Sequence, residues 1–444
     1  MKLHVTQTNN LRGQATPPSS KSHSVRALLL ATLAKGTSHL YNVLDADDGL
    51  AAIEVCKGLG AKITQVQTDF GGLDVTVESE GVPLNAGVTE LFSSNSGITT
   101  TFAIPVIGLR KNANEQLTLS CGEQMQKRPL KSIIDAVKNL GMDVKSKNDS
   151  CPLIITDKLL GGYATVDGKN SQYLSALLMS LPCAEKDSEI QVENLQERPY
   201  VDMTLSWLDE QNIRYGHFKK DHVDTFKIFG NQQYKPFKKT IPGDFSSSSY
   251  LIAAAVLLPG EVVLHGLDMK DPQGDKRIIS ILQQMGADIK EEKTEHETVL
   301  KIAGGKPLKG ITVDCGNIPD MLPTLAVIAT QTEGKTALMN VANARIKETD
   351  RIKSMATELA KMGVKLEETE SSLTIYQSTL YRADVHGYSD HRTIMALAIA
   401  GLLASPDASG KAETIIDTAE GIKKTFPTFV HMMNSLGAQM NLQD

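Results

Sequence analysis

A short pattern of apolar and polar positions recurs six times along the chain. In five copies an amphipathic segment ends in Leu or Met and is followed by Gly, a small or apolar residue, a polar residue and an apolar run, and the sixth copy is degenerate. Five copies carry the glycine, at 59–63, 140–144, 285–289, 362–366 and 436–440, and a sixth, at 211–215, has Asn212 in its place. This pattern is typical of a helix that ends at a residue tolerating the left-handed conformation and is followed by a strand.

The spacing of the six copies predicts a repeated unit. Successive copies lie 81, 71, 74, 77 and 74 residues apart, which is room for two helices and several strands. Within the first unit the pattern predicts a helix over 24–35 stopped by Gly36, a strand over 38–44, a helix over 48–57 and a strand over 62–68. Helix and strand therefore alternate twice per unit.

Six such units predict two similar lobes of three. A seam is expected near 239–243, after the polar stretch 231–239 and before an apolar helix over 250–258. The last repeat ends only at the C-terminus, while residues 2–6 are strand-like, so the first residues are expected to complete the second lobe. The N-terminal lobe is then 21–241, and the C-terminal lobe is 1–20 together with 242–444.

Composition narrows the class of protein. The 444 residues are 41% hydrophobic and 22% charged, as in globular proteins, and no apolar run approaches a membrane helix or a signal-peptide core. The expected location is the cytoplasm, without a membrane partner. Five scattered cysteines, never in C-x-x-C spacing, argue against a disulfide framework and a zinc site. A net charge of -6 and 5% aromatics argue against a nucleic-acid partner, so any anion must be bound by a local positive pocket.

Such a pocket is predicted after the apolar run 336–341. Four charged side chains fall within 347–351: Lys347, Glu348, Asp350 and Arg351. On a helix, Lys347 and Arg351 would share a face and Glu348 would neighbour Arg351. Two cations and a carboxylate could hold an anionic substrate while an acid moves a proton. The alternative is a solvated helix start with i,i+4 pairs.

Lysine and arginine side chains also lie at the N-termini of other predicted helices. The dipole disfavours a cation at a helix N-terminus unless something negative is bound there. The pattern therefore favours a polyanionic ligand faced by both lobes, although a serine-rich cap at 19–26, a simple N-cap at 94–97 and a dipole partner at Asp320 are open alternatives. The cations concerned are Lys21, Arg26, Arg128, Arg392 and Lys424.

Together these segments resemble the 5-enolpyruvylshikimate-3-phosphate (EPSP) synthases, of the enolpyruvyl transferase family. The resemblance covers essentially the whole chain. Its motifs, in order, are Ser20-Lys21-Ser22-x-Ser24-x-Arg26, Asn95-Ser96-Gly97, Lys127-Arg128-Pro129, Ser171-Gln172, Pro199-Tyr200-x-Asp202-Met203-Thr204, Gly243-Asp244-x-Ser246-Ser247, Ile318-Pro319-Asp320, the segment 347–351, Asp390-His391-Arg392 and Lys424-Thr425-Phe426-Pro427. The implied fold is a two-lobed inside-out α/β barrel, each lobe three βαβαββ units with helices packed inside, whose lobes close over the substrates.

The resemblance implies transfer of the enolpyruvyl group of phosphoenolpyruvate (PEP) to the 5-hydroxyl of shikimate 3-phosphate, with release of phosphate, in the shikimate pathway for aromatic amino acids. It implies a tetrahedral adduct and no metal or organic cofactor, and we expect a monomer. PEP would be held by Lys21, Gly97, Arg128, Gln172, Arg351, Arg392 and Lys424. Several cations suit this trianion.

The acceptor and the proton transfers are assigned in the same way. Asp320 would take the hydroxyl proton, and Glu348, assisted by Lys21 or Lys424, would protonate the methylene carbon of PEP. Ser22 and Arg26 would hold the shikimate carboxylate and Ser171 the phosphate. The acceptor residues implied are Ser22, Arg26, Asn170, Ser171, Tyr200, Asp320, Asn343 and Lys347. Because Gly97 leaves the PEP pocket open, we expect competitive inhibition by glyphosate.

Several positions depart from the family pattern. Ile98 replaces a threonine, Thr101 an arginine, and Asn170 the first serine of Ser-Ser-Gln; Glu197 and Arg198 stand where a serine usually contacts the substrate phosphate. A carboxylate beside that phosphate would be repulsive by roughly 1 to 4 kcal/mol unless Arg198 or Lys169 neutralises it. These departures lie on the acceptor side, so the donor is the more firmly predicted substrate. In the alternative, Glu197 is turned outward.

Three other functions remain open. A UDP-N-acetylglucosamine enolpyruvyl transferase would carry a reactive cysteine five residues before the Arg-Pro pair, where this chain has Glu123, with Cys121 two residues earlier. An enolpyruvyl transferase acting on a modified or unphosphorylated cyclitol is favoured by Glu197 and Thr101. A binding protein that senses PEP would not need Asp320 and Glu348.

Overall fold

A computed structural model describes residues 1–68, 71–295 and 297–444. These residues form two compact units, an N-terminal unit of residues 19–241 and a C-terminal unit of residues 1–18 and 242–444. The chain passes from one unit to the other between 18 and 19 and between 241 and 242, close to the boundaries expected after 20 and after 241.

The described residues of the N-terminal unit form three four-stranded sheets, together with the helices given below. In each sheet, taken in spatial order, the first strand is parallel to the second. The second and third strands are antiparallel, and so are the third and fourth. In spatial order the sheets are Lys238–Thr240, Lys35–Leu44, Gly72–Glu80 and Lys62–Gln67; Glu90–Phe92, Leu117–Ser120, Ser150–Thr156 and Asp143–Lys147; and Tyr163–Asp167, Ser188–Glu193, Val223–Ile228 and Tyr215–Lys220.

The described part of the C-terminal unit repeats this arrangement three more times. Its sheets are Leu11–Ala15, Gly260–Leu264, Thr298–Gly304 and Asp288–Lys293; Thr312–Asp314, Lys335–Met339, Leu373–Tyr376 and Leu366–Glu368; and Asp384–Val385, Glu413–Ile416, Lys2–Thr6 and Gln439–Gln443, with a smaller pair Leu308–Lys309 and Thr332–Glu333. The strand Lys2–Thr6 pairs with the strands at 413–416 and 439–443. The N-terminal residues therefore complete this unit, as the sequence predicted.

Each sheet is accompanied by two kinds of helix. In one kind nearly every side chain is buried, and these helices pack against one another inside their unit, which is the inside-out arrangement expected. They are Lys21–Leu33, Gly97–Ile107 and Ser171–Ser180 in the N-terminal unit and Phe245–Leu257, Leu322–Ala329 and His391–Leu403 in the C-terminal unit.

The other helices bury one face and leave the other in solvent. They are Asp47–Gly58, Glu123–Gln126, Lys131–Asn139, Arg198–Glu210, Arg277–Met285, Arg351–Lys361 and Phe429–Ser435. Short 3-10 helices cover Leu181–Cys183, Gly274–Lys276, Pro319–Met321, Ala342–Ile346 and Ala419–Lys424. None of the helices formed by the described residues combines the length and the apolar character required to cross a bilayer.

The recurring helix ends adopt the left-handed conformation predicted for them. The φ angles are 105° at Gly60, 110° at Gly141, 57° at Asn212, 107° at Gly286, 91° at Gly363 and 106° at Gly437. Asparagine is among the few other residues that adopt this conformation readily, which explains the sixth copy. The sixfold repeat is therefore a property of the fold.

Some predicted boundaries were wrong. The first helix is Lys21–Leu33, not 24–35, because the Ser20 hydroxyl caps it by accepting from the His23 amide. Gly36 does not stop it but lies in the strand Lys35–Leu44. The helix expected over 250–258 starts at Phe245, because the Asp244 carboxylate accepts from the Ser247 amide.

Candidate active site

In the N-terminal unit, three buried helices begin close together. Arg26, in the first, has its guanidinium carbon 5.1 Å from the ring centroid of Phe102 in the second. The Thr101 hydroxyl of the second helix donates to Gln172 Oε1 in the first turn of the third, at 3.4 Å. Three helix N-termini therefore lie at one end of the unit, where their dipoles favour an anion. We call this end the N-terminal cluster, and its candidate residues are Lys21, Ser22, Arg26, Gly97, Arg128, Asn170, Ser171, Gln172 and Tyr200.

Arg26 is 1% exposed, and each of its four hydrogen bonds ends on a neutral oxygen. Nε donates to Thr204 Oγ1 at 2.9 Å and Nη1 to the Ser22 carbonyl at 2.9 Å, while Nη2 donates to Ser175 Oγ at 3.3 Å and to the Tyr200 carbonyl at 3.0 Å. Burial lowers the pKa of Arg26 to about 9, so it remains charged at neutral pH. Among the described residues, these bonds use four of its five N–H groups.

The guanidinium of Arg128 packs directly on the backbone of Gly97. A Cβ atom added at Gly97 would lie 2.2 Å from Arg128 Nη1, closer than any real contact. Gly97 is therefore required for Arg128 to lie at the start of the second buried helix. Arg128 itself precedes the helix Lys131–Asn139 by three residues, so the prediction that it lies at a helix start was wrong. Leu130 lies at the N-cap position.

Lys21 lies at the start of the first buried helix and forms an ion pair within its unit. Its Nζ is 3.1 Å from Asp48 Oδ2, and the Asp48 side chain is 2% exposed. Asp48 opens the predicted helix at 48–57, observed as Asp47–Gly58. Sequence reasoning gave it no role, because nothing in the pattern indicates which cation a first-turn carboxylate will contact.

Glu197 does not point outward, and the alternative that it does was wrong. It is 2% exposed, and its Oε2 accepts from Ser171 Oγ at 2.8 Å and from the Ser171 amide at 3.3 Å. Asn170 caps the same helix, its Oδ1 accepting from the Gln172 amide at 3.0 Å. The guanidinium of Arg198 contacts Asp202 at 2.6 Å and Asp224 at 3.3 Å. A carboxylate therefore already lies where an anion was expected.

In the C-terminal unit the buried helices also begin close together. Ser249 Oγ and Thr324 Oγ1 are 2.9 Å apart, and Arg392 Nη2 donates to Asp320 Oδ2 at 2.8 Å. Asp320 lies in the short helix Pro319–Met321, and Arg392 is in the first turn of His391–Leu403. We call this end the C-terminal cluster, and its candidate residues are Asp320, Asn343, Lys347, Glu348, Arg351, Arg392 and Lys424.

Arg351 lies at the centre of the C-terminal cluster. Its side chain is 1% exposed and donates to three carboxylates. The donor–acceptor distances are 2.8 Å from Nε to Asp390 Oδ2, 2.6 Å from Nη1 to Asp320 Oδ1 and 2.6 Å from Nη2 to Glu348 Oε2. Burial acts to lower the pKa of Arg351, but these carboxylates outweigh it and raise the pKa above its ordinary value. The arginine is permanently charged.

Asp320 is held as a carboxylate between cations. Burial acts to raise its pKa, but the charges of Arg392, Arg351 and Lys347 hold the pKa well below its usual range. It is therefore ionised and can accept a proton. Glu348 is similarly placed between cations, since its Oε1 lies 3.6 Å from Lys424 Nζ and its Oε2 contacts Arg351.

The helical spacing predicted for 347–351 was wrong. Residues 347–350 lie between the 3-10 helix Ala342–Ile346, which contains Asn343, and the helix that begins at Arg351. Asp350 caps that helix, its side chain accepting from the Lys353 amide at 3.0 Å. Lys347 and Arg351 therefore do not share a helical face, whereas the predicted contact between Glu348 and Arg351 is present. Lys424 ends another short helix, Ala419–Lys424, and the next helix starts only at Phe429.

Sequence reasoning missed two buried carboxylates of this unit. Asp390 was identified only as part of a motif, although its N-cap position before an apolar helix indicated a buried carboxylate. Asp275 is also buried and bonds to the Ser246 hydroxyl. Burial, and then the nearby charge of Asp320, raises the pKa of Asp275 to about 7. No periodic signal in the sequence pointed to Asp275.

Comparisons with known proteins agree on one family. A family model described as EPSP synthase (3-phosphoshikimate 1-carboxyvinyltransferase) matches residues 5–433. The chain is 40% identical over 439 residues to the 3-phosphoshikimate 1-carboxyvinyltransferase of Ruminiclostridium cellulolyticum, covering 98% of this chain and 99% of that one. It is 42% identical over 436 residues to the protein of the same name from Acetivibrio thermocellus, covering 97% of each.

Solved structures share the fold. The EPSP synthase of Acinetobacter baumannii superposes with a TM-score of 0.81 at 23% identity, covering 100% of both chains. The enolpyruvyl transferase NikO from Streptomyces tendae superposes with a TM-score of 0.76 at 16% identity, covering 99% of this chain and 98% of that one.

Proposed function

Because the chain belongs to the EPSP synthase family, and is an enzyme of the 3-phosphoshikimate 1-carboxyvinyltransferase type, we propose that the N-terminal and C-terminal clusters bind its two substrates. The reaction transfers the enolpyruvyl group of PEP to the 5-hydroxyl of shikimate 3-phosphate and releases phosphate. It belongs to the shikimate pathway. That the chain works as a monomer in the cytoplasm stays a prediction.

The proposal assigns donor-binding residues in each cluster. Arg351, Arg392 and Lys424 would hold PEP from the C-terminal cluster; Lys21, Arg128, Gly97 and Gln172 would do so from the N-terminal cluster. The observation that carries this proposal is the network in which Arg351 and Arg392 both bond to Asp320, at 2.6 and 2.8 Å. Asp320 thus holds two arginines together, and carboxylate and phosphate groups suit the same guanidinium geometry.

The proposed acceptor site begins with Arg26. Its buried charge contacts only neutral oxygens in its hydrogen bonds, so the carboxylate of the acceptor would offset the cost of burial. Ser22 lies one helical turn away and would contact the same group. The remaining acceptor residues in the proposal are Asn170, Ser171, Tyr200, Asp320, Asn343 and Lys347.

The proposed chemistry uses the two carboxylates of the C-terminal cluster. Asp320, already ionised, would accept the proton of the attacking hydroxyl. Its low pKa makes it a weak base in this arrangement, and it would be a stronger base if bound PEP took over the contacts of Arg351 and Arg392. Glu348 in its protonated form, assisted by Lys424 at 3.6 Å, would deliver a proton to the methylene carbon. Breaking the C–O bond to phosphate, with return of a methyl proton to Glu348, then gives the enolpyruvyl product.

An acceptor series tests this proposal. The protein is incubated with PEP and, in separate reactions, shikimate 3-phosphate, shikimate or UDP-N-acetylglucosamine, and phosphate release is followed. We expect release with shikimate 3-phosphate and none with the other two. Release with shikimate but not with its 3-phosphate would refute the proposed acceptor.

A second candidate function is transfer to a modified or unphosphorylated cyclitol. It is favoured by one observation, the buried carboxylate of Glu197 on Ser171, which occupies the proposed phosphate contact.

Thermal-shift titration separates any transferase from a PEP sensor. A sensor is stabilised by PEP alone, whereas a transferase of this family should be stabilised most by the acceptor together with glyphosate.

A further inference from the structure

The helix Ser171–Ser180 begins with its donors already occupied. Glu197 Oε2 accepts from both the amide and the hydroxyl of Ser171, at 3.3 and 2.8 Å, and Asn170 Oδ1 accepts from the Gln172 amide at 3.0 Å. A carboxylate is stabilised at a helix N-terminus by the dipole and by the free amides there. Glu197 is therefore an anion of the chain itself, bound at a position suited to an anion.

The backbone of Glu197 supports a specific role for this contact. Its φ and ψ are 53° and 34°, the left-handed conformation, immediately before the helix Arg198–Glu210. This conformation is sparsely populated for a glutamate and persists only where surrounding contacts fix it. The side chain is nevertheless 2% exposed and bonded to Ser171, 26 residues away along the chain. The fold of the N-terminal unit therefore holds Glu197 in contact with Ser171.

We propose that Glu197 is an internal ligand that the phosphate of the acceptor must displace, and that it thereby determines the affinity for phosphorylated acceptors. The proposal rests on the proposed function, in which Ser171 binds that phosphate. Ser171 has one amide N–H and one hydroxyl proton to donate, and Glu197 accepts both. A phosphate cannot accept the same two protons while Glu197 remains.

Displacement lowers the apparent affinity of the acceptor. The acceptor binds only the fraction of molecules in which Ser171 is released, so its apparent dissociation constant is increased by the inverse of that fraction. A displaced carboxylate close to the bound phosphate adds charge repulsion. Glu197 therefore lowers the affinity for phosphorylated acceptors, and removing it should raise that affinity.

The test compares two variants with the unchanged protein. Glu197→Ser removes the carboxylate, and Glu197→Gln keeps the size of the side chain and removes its charge. The dissociation constant of shikimate 3-phosphate is measured by calorimetry, and its KM by phosphate release at saturating PEP. We expect both constants to fall about tenfold or more in Glu197→Ser, and by less in Glu197→Gln, with the KM for PEP within about twofold of its original value.

A control variant and two contrary results complete the test. Glu193→Ser, at the exposed end of the strand Ser188–Glu193, should leave both acceptor constants unchanged. Unchanged or weaker binding of shikimate 3-phosphate in Glu197→Ser overturns the inference, and if that variant fails to fold, the same result in Glu197→Gln overturns it. Absence of turnover with shikimate 3-phosphate in the unchanged protein refutes the proposed function instead, while the calorimetric dissociation constants, which need no turnover, still test the inference.

Discussion

At the scale of single residues, Gly97 and Arg128 offer a direct test of the donor site. In Gly97→Ala the new Cβ would lie 2.2 Å from Arg128 Nη1, so the guanidinium must move. We expect the KM for PEP to rise about tenfold, equivalent to about 1.4 kcal/mol of lost binding. Inhibition by glyphosate should weaken in parallel, because the proposal assigns it the same pocket.

A matched control exists in the same unit. Gly87 is exposed, and a Cβ atom added there would meet nothing within 4 Å. Gly87→Ala should therefore leave the KM for PEP unchanged. If Gly97→Ala also leaves it unchanged, Arg128 does not bind PEP.

The residue scale also shows where sequence reasoning stopped. Arg26, Ser171 and Asp320 were identified as candidates because each lies at or near the start of a predicted helix. The sequence did not reveal their partners. Asp390 contacts Arg351 across 39 residues and Asp48 contacts Lys21 across 27, and such pairs depend on how separate repeats pack. The inward turn of Glu197 depends on a left-handed backbone that no local pattern predicts for glutamate.

At the scale of elements, the first turn of the buried helix Phe245–Leu257 carries a pH-sensitive contact. The Ser246 hydroxyl bonds to Asp275, whose pKa is raised to about 7 by burial and by Asp320. Between the unfolded pKa of about 3.9 and pH 7 the folded protein binds more protons than the unfolded chain, so this group makes stability fall as pH rises through that window.

Asp275→Asn should remove that dependence. The free energy of unfolding of the unchanged protein should decrease by about 3 to 4 kcal/mol between pH 4 and pH 8 through this group alone. Urea unfolding of both proteins across this range measures the difference between them, which should favour Asp275→Asn increasingly as pH rises. A difference that is constant with pH would contradict the raised pKa.

The ends of the recurring helices were predicted correctly, whereas the helical arrangement of the side chains at 347–351 was not. The six recurring caps are left-handed as the sequence indicated, because glycine or asparagine at a helix end is a local signal. The segment 347–351 was predicted to be helical from its charge spacing. Asp350 starts the helix only at Arg351, and a capping aspartate inside a charged run resembles an ordinary helical residue in sequence.

At the scale of the whole molecule, the length of the repeat was enough to predict the architecture. The described residues form six four-stranded sheets with the same order of pairings, three in each unit. A spacing of 71 to 81 residues between caps carried this information, because each cap marks one repeat. The departures at Thr101, Asn170 and Glu197 do not disturb the fold. Thr101 and Asn170 bond to Gln172, while Glu197 bonds to Ser171.

The central claim is that the proposed donor residues bind PEP. The most direct measurement is the KM for PEP, at saturating shikimate 3-phosphate, in Arg128→Ala and in Arg392→Ala. The account predicts an increase of about tenfold or more in each variant, as expected for loss of a charge-assisted contact. An unchanged KM for PEP in either variant would contradict it.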